Sequence, residues 1–210
     1  MAITNGYATL AQVKEALAIK SATTTHDTVI ERIVEAVSRL IDARTGKRFY
    51  DTTETRYFTA EDAGLLILRT PLLSVSALKT LTQNSAGTRT YGDTWSTTDY
   101  DLEPDNASLE TRPYTRIARN PGGLYSFPRD ARGVEIAGDW GYCTAANQPP
   151  QVLRACIQQC ALIFKGPASP KGSRSGSRNG LGTMAVAKGL DPTVVELLGE
   201  FIDDGALLLA

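Results

Sequence analysis

The sequence predicts an α+β protein: a small helical bundle, an antiparallel β region inserted into it, and a tethered C-terminal helix. Three observations carry this. Apolar residues recur at helical spacing on both sides of the chain's middle, at Ile30, Ile33, Val34, Val37, Leu40 and Ile41, and again at Val152, Leu153, Cys156, Ile157, Cys160, Ile163 and Phe164. Between them, threonine, tyrosine, valine and leucine gather in short runs divided by turn residues. After the second helical run, a stretch rich in glycine, serine and proline precedes one more amphipathic segment.

Taken in order, Thr9 and Gln12 have capping-box spacing, and Leu10, Val13 and Leu17 follow as a stripe, so residues 9–19 form a first helix. Residues 20–26 are a polar loop. A second helix spans 28–45, with Asp27 and Thr28 as N-cap types, Glu31 completing a capping box, and Gly46 as a left-handed stop beside Lys47 and Arg48. The β insert covers 53–142, with strands expected at 55–59, 64–68, 75–82, 100–102, 108–110, 114–118 and 133–140. Asn84 to Gly92 and Pro121-Gly122-Gly123 have loop chemistry. The connections are too short for helical crossovers, so the sheet is antiparallel. Pro149-Pro150 starts a third helix, 149–164, since proline suits a first turn. The body is thus 1–165, followed by a flexible basic linker over 166–189 and a last helix in 190–210, with Asp191 as N-cap and Pro192 at its first position.

A chain of 210 residues suits one domain or one domain with an appendage, and buries roughly 70 % of its unfolded surface. Its formal net charge of −1 argues against a surface that grips nucleic acid as a whole. The three cysteines, Cys143, Cys156 and Cys160, lack the spacing of a disulfide framework and suit a reducing compartment. Cys156 and Cys160 sit one turn apart and could supply half a metal site, but as small apolar core residues they need no metal, and none is expected. No segment has the apolar length to span a bilayer, and Met1 to Tyr7 lack signal-peptide character.

Catalytic and cofactor motifs fail one by one. Gly180-Leu181-Gly182-Thr183-Met184-Ala185 fits a loose dinucleotide fingerprint, but a Gly/Ser linker stands where the strand should be. Gly46-Lys47 lacks the rest of a phosphate-binding loop. His26, the single histidine, has no partner for nucleophilic catalysis. Glu61, Asp62, Asp99, Asp101, Glu103 and Asp105 could pair as acid and base for a small hydrolase, yet in a strand-and-turn region they suit solvated loops. No catalytic residue, no cofactor and no enzymatic activity are expected.

Two features stand out. The last helix puts Val194, Val195, Leu197, Leu198, Phe201 and Ile202 on one side and Glu196, Glu200, Asp203 and Asp204 on the other. Tethered by a flexible linker and followed by Ala206-Leu207-Leu208-Leu209-Ala210, that apolar side either packs on its own core or docks in a partner's groove. The linker carries Lys171, Arg174 and Arg178, which either keep it soluble or lie near DNA phosphates.

Several segments, in this order, resemble the head–tail connector (adaptor, head-completion) family of tailed phages, prophages and gene-transfer agents. They are Leu10-Ala11-Gln12-Val13-Lys14-Glu15-Ala16-Leu17; the long helix ending Thr45-Gly46-Lys47-Arg48-Phe49; Leu68-Arg69-Thr70-Pro71-Leu72-Leu73-Ser74-Val75; Asp99-Tyr100-Asp101-Leu102; Pro128-Arg129; Val134-Glu135-Ile136 leading to Trp140-Gly141-Tyr142; and Pro149-Pro150-Gln151-Val152-Leu153-Arg154-Ala155. They span roughly residues 8 to 164. Departures are the longer insert between Thr82 and Arg119 and a linker rich in serine and arginine.

The resemblance implies a structural protein of the virion, at the capsid–tail junction, assembled in the bacterial cytoplasm. It implies a closed homo-oligomeric ring, of about twelve copies, with head-to-tail contacts. The ring lies beneath the portal protein, extends the DNA channel and offers a platform for a neck or tail completion protein. DNA passes through without sequence readout, and no membrane is involved. The apolar side of the last helix becomes the portal-docking face. The alternative from a different class is a nucleic-acid-binding module acting through the basic linker, which requires steeply salt-dependent binding to duplex DNA.

Overall fold

The computed structural model describes residues 3–85, 88–166 and 189–202. The chain forms two compact units, one from Met1–Gly46 and Gln148–Ala210, the other from Lys47–Asn147.

The first unit is helical, with α1 (Leu10–Ala16), α2 (Asp27–Thr45), α3 (Pro150–Lys165) and α4 (Pro192–Leu197). The capping box on α1 forms as expected: the Gln12 amide donates to Thr9 Oγ1, and Gln12 Oε1 accepts from the Thr9 amide at 2.8 Å. The helix ends before the predicted residue 19, because Leu17 is its C-cap and Ala18 turns to φ 55°. The capping box expected on α2 is absent, since His26 is the N-cap and makes no side-chain cap bond. Asp27 instead meets Lys14 Nζ at 2.6 Å, and Lys14 also donates to the Ser21 carbonyl at 3.1 Å. That buried lysine ties α1, the polar loop and the start of α2 together. At the other end Gly46 takes φ 67° and its N–H reaches the Asp42 carbonyl at 2.8 Å, the stop read from sequence.

Ile30, Ile33, Val34, Val37 and Ile41 are the buried stripe of α2, and Val152, Ala155, Cys156 and Cys160 that of α3. Ser38 interrupts the apolar stripe at no cost in unpaired polarity. Its hydroxyl donates to the Val34 carbonyl at 2.7 Å and accepts from the Tyr7 amide at 3.0 Å. Tyr7 is further held by donation from its hydroxyl to Asp42 Oδ1 and by Gln148 Nε2, which donates to its carbonyl at 3.0 Å.

The second unit is a six-stranded sheet of β1 (Thr52–Phe58), β2 (Leu65–Ser85), β3 (Thr88–Thr94), β4 (Tyr100–Glu103), β5 (Tyr114–Arg119) and β6 (Val134–Trp140). Every pairing is antiparallel, in the order β1-β6-β2-β5-β4, with β3 on β2. Two strands expected at 64–68 and 75–82 are one long strand that changes partner along its length. β2 pairs with β5 from Leu65 to Leu72, with β6 from Leu72 to Thr80, and with β3 from Lys79 to Ser85. Register shifts mark each hand-over, so the strand bends where the pairing changes. Part of the expected loop 84–92 is β3, because the polar residues there face solvent on a hairpin. The expected strand 108–110 is a turn, in which the Leu109 and Glu110 amides both donate to the Asn106 carbonyl.

Both halves of the bent strand feed one core: Leu66 and Leu68 from its start, Leu72 and Leu78 from its middle, with Trp95, Ile117, Phe127, Ile136 and Trp140. Trp95 stacks on Phe127 at 4.6 Å and donates from Nε1 to Thr80 Oγ1 at 3.1 Å. At Gly138, in the middle of β6, an added Cβ would meet the Ser74 carbonyl oxygen, so only glycine lets β2 approach so closely.

Candidate functional site

The segment sequence reasoning favoured for docking is built from its N-cap outward. Asp191 Oδ1 accepts from the Thr193 amide at 2.9 Å and from the Thr193 hydroxyl at 2.6 Å, and Pro192 occupies the first turn. These hydrogen bonds hold the Asp191 carboxyl below its ordinary value of 3.8. The helix then runs only from Pro192 to Leu197 and passes into a 3₁₀ turn, Gly199–Phe201, so it is shorter than expected.

Val194, Leu198 and Phe201 are buried, at spacings of one helical turn. The segment is fastened to α3 by polar contacts as well. Gln159, itself buried, accepts from the Asp191 amide at 2.9 Å, and Gln158 Nε2 donates to Thr193 Oγ1 at 2.8 Å. Half of the six-residue face expected to meet a partner is therefore covered by the chain's own helical unit. The physical reason is local: α3 buries Gln159 beside its apolar face, and that amide supplies an acceptor for the incoming helix start. Val195, Leu197 and Ile202 remain partly open. Gln159 was missed in the sequence because a glutamine on a helical stripe carries no signal of the backbone amide it will receive.

Lys171, Arg174 and Arg178, the Gly180–Ala185 fingerprint and residues 203–210 lie outside the described residues. Of the remaining candidates, Glu61, Asp101 and Asp105 are exposed. Asp62 accepts from the Gly64 amide, Asp99 from the Ser96 amide, and Glu103 pairs with Arg116 at 3.3 Å. His26 is exposed, its ring edge-on to Phe164 at 5.5 Å. Cys156 and Cys160 are buried in α3, with Ser38 Oγ 3.9 Å from Cys156 Sγ. The neighbouring Cys156 thiol, and after it burial, push Cys160 up, which keeps it a neutral thiol. Burial pushes Cys143 up to about 11. Among the described residues no group of histidine, cysteine and carboxylate side chains could hold a metal ion, and no helix is long and apolar enough to cross a membrane.

The β unit carries a surface that the sequence did not disclose. An open groove of about 820 Å³ runs between the end of β1 and the start of β2, lined by Tyr57, Phe58, Leu65, Ile67, Arg69 and Glu61 among others. Ile67 is 59 % exposed there. The run Leu65-Leu66-Ile67-Leu68 is apolar on both faces of the strand, so nothing in the sequence told the inward leucines from the outward isoleucine.

Neither a protein-family model nor a curated protein sequence matches this chain. Solved structures do. The fold is similar to a chain of the virion of a native gene-transfer-agent particle, with a TM-score of 0.58 at 18% identity, over 96% of this chain and 92% of that one. It is similar over the same shares, and at the same identity, to chains in the neck of an empty particle computed with C6 symmetry, with a TM-score of 0.57, and in the neck of a native particle computed with C12 symmetry, with a TM-score of 0.56. At this identity the likeness shows a shared α+β fold across nearly the whole chain. It agrees with the resemblance to head–tail connectors drawn from the sequence motifs.

Proposed function

We propose that this protein is a structural component of a phage-like or gene-transfer-agent particle, a head–tail adaptor that forms a ring beneath the portal, extends the DNA channel and seats the next neck or tail protein. The observation that carries the reading is the fold likeness over 96% of the chain to chains of particle necks, one of them computed with C12 symmetry. The order of connector-like sequence motifs supports it independently. A ring of about twelve copies with head-to-tail contacts is the assembly this implies.

In this reading the C-terminal segment is the portal contact. Val194, Leu198 and Phe201 are used in cis, so Val195, Leu197 and Ile202 are the positions left to meet the portal. The near-neutral chain suits a channel through which duplex must slide without being retained by its phosphates.

The test is electron microscopy of the purified chain mixed with the portal protein of the same particle, together with a triple variant Val195→Ser, Leu197→Ser, Ile202→Ser. The expected result is a ring stacked on the portal by the wild type and its loss in the variant. No ring on the portal in any condition overturns the adaptor reading. A ring that the variant still forms and docks removes the role given to the C-terminal segment.

A further inference from the structure

The first stretch of β2 leaves one of its edges unpaired. The Arg119 amide donates to the Gly64 carbonyl at 2.8 Å, and the same register sets Leu65 opposite Ala118, Leu66 opposite Ile117 and Ile67 opposite Arg116. In an antiparallel ladder hydrogen-bonded and non-bonded pairs alternate. Gly64 and Leu66 therefore turn their main-chain groups to β5, while Leu65 and Ile67 turn theirs the other way. On that other side β6 joins β2 only from Leu72 onward, and among the described residues no strand covers Leu65 or Ile67.

The groove follows this edge. The alternate residues Leu65, Ile67 and Arg69 line it, and Tyr57, Phe58 and Thr59 form its opposite wall. That wall is fixed in place: the Arg132 guanidinium lies 4.5 Å from the Tyr57 ring, Tyr91 packs on the same ring at 5.4 Å, and Phe58 stacks on Trp140 at 5.3 Å. Proteins blunt an unused strand edge with charge or proline. The terminal strands of this sheet are blunted so, β1 by Glu54 and Arg56 and β4 by Asp101 and Glu103. Leu65-Leu66-Ile67-Leu68 has neither device, and Ile67 is 59 % exposed.

We propose that this edge receives an added β-strand from a different protein: an extended segment whose main chain pairs with Leu65 and Ile67 and whose aliphatic side chains lie against Ile67 and Tyr57. This rests on the reading of the chain as an adaptor that seats a neck or tail protein, and it names the surface and the pairing that seat it. Three features select the occupant. Only an extended backbone brings free N–H and C=O groups at the repeat of the open edge, since a helix uses its own internally. The wall opposite the edge admits a free segment and not the rim of another sheet. The terminal strands that a second copy would offer, β1 and β4, carry charges where the groove is apolar.

Amide exchange by nuclear magnetic resonance tests it, in the full-length chain with and without the purified neck or tail-completion protein of the same particle. In the free chain the Leu65 and Ile67 amides should exchange fast and the Leu66 amide slowly. Binding should slow the first two by about tenfold or more and change Leu66 little. Ile67→Pro removes only an N–H that faces away from β5, so the chain should stay folded and bind about tenfold or more weakly. Ile67→Lys, which keeps that N–H but charges the edge, should weaken binding as well. Binding with exchange at Leu65 and Ile67 unchanged overturns the inference and leaves the adaptor reading intact. Slow exchange of both amides in the free chain also overturns it. If removing residues 203–210 then restores fast exchange, the chain's own tail is the occupant, and if dilution restores it, a second copy is. A wild-type chain that does not bind the partner overturns the inference together with the seating role.

Discussion

In the helical unit Ser38 and Cys156 meet across 118 positions of sequence, while in the β unit Thr52 reaches Trp140 across 88. The helical unit draws on both ends of the chain, whereas the β unit is one continuous stretch, Lys47–Asn147. Bringing distant segments together costs loop-closure entropy, though the cost grows only slowly with length. The lesson is about vulnerability. A lesion in the C-terminal segment reaches the helical unit through α3 and leaves the β unit's own core untouched, and a lesion at the crossing of β2 and β6 does the reverse.

The largest expected break of this contrast is Gly138→Ala. Its Cβ would drive into the Ser74 carbonyl, backbone against backbone, so the sheet must shift. A loss of about 4 kcal/mol is expected, read by thermal unfolding, with near-ultraviolet signals from Trp95 and Trp140 lost first. Retained stability there would mean that β2 and β6 lie farther apart than described.

Phe201→Ala comes next. Truncating this buried ring should cost about 3 kcal/mol, concentrated in the C-terminal segment. Hydrogen exchange should show faster exchange in residues 192–202 and along α3, with the β strands unchanged. Faster exchange in β6 as well would contradict the separation of the two units.

Gln159→Leu leaves the Asp191 amide without its acceptor while keeping a side chain of similar size. The expected cost is about 2 kcal/mol, again confined to the C-terminal segment.

The smallest effect comes from the N-cap. Asp191→Ala should lower the exchange protection of α4 by less than any of the variants above. The pH dependence has a definite sign. The folded carboxyl lies below its ordinary 3.8, so its contribution is complete above that value and is lost as pH falls through the lowered folded pKa. Exchange protection of α4 should therefore be level from neutral pH down to the ordinary carboxylate range and fall only below it. Asp191→Ala should abolish that fall.

The helical elements were largely legible before the fold was known. The stripe of α2, its Gly46 stop, the capping box at Thr9 and Gln12, the proline start of α3 and the Asp191-Pro192 start of α4 all stand where local rules put them. These signals depend on neighbours three or four residues away, and a helix satisfies its hydrogen bonds internally. The strands were legible in texture but not in extent. β2 looked like two strands because its pairing partner changes twice, and no local pattern tells a bend from a break. The hairpin strand β3 looked like a loop because its polar residues owe their conformation to β2 across the ladder.

What the chain's order of residues determined by itself was the α+β class, the helices with their stripes and the Gly46 stop, and the family-like succession of motifs. Each follows from short-range spacing and backbone preference. Only tertiary structure decided that Val194, Leu198 and Phe201 turn inward, that Gln159 is their anchor, and that Ile67 is left open on a groove while Leu66 and Leu68 fill the core beside it. An amphipathic face states that it needs cover, but the cover is chosen by whichever distant surface brings a complementary shape and a free hydrogen-bonding group, and that is a property of the folded chain.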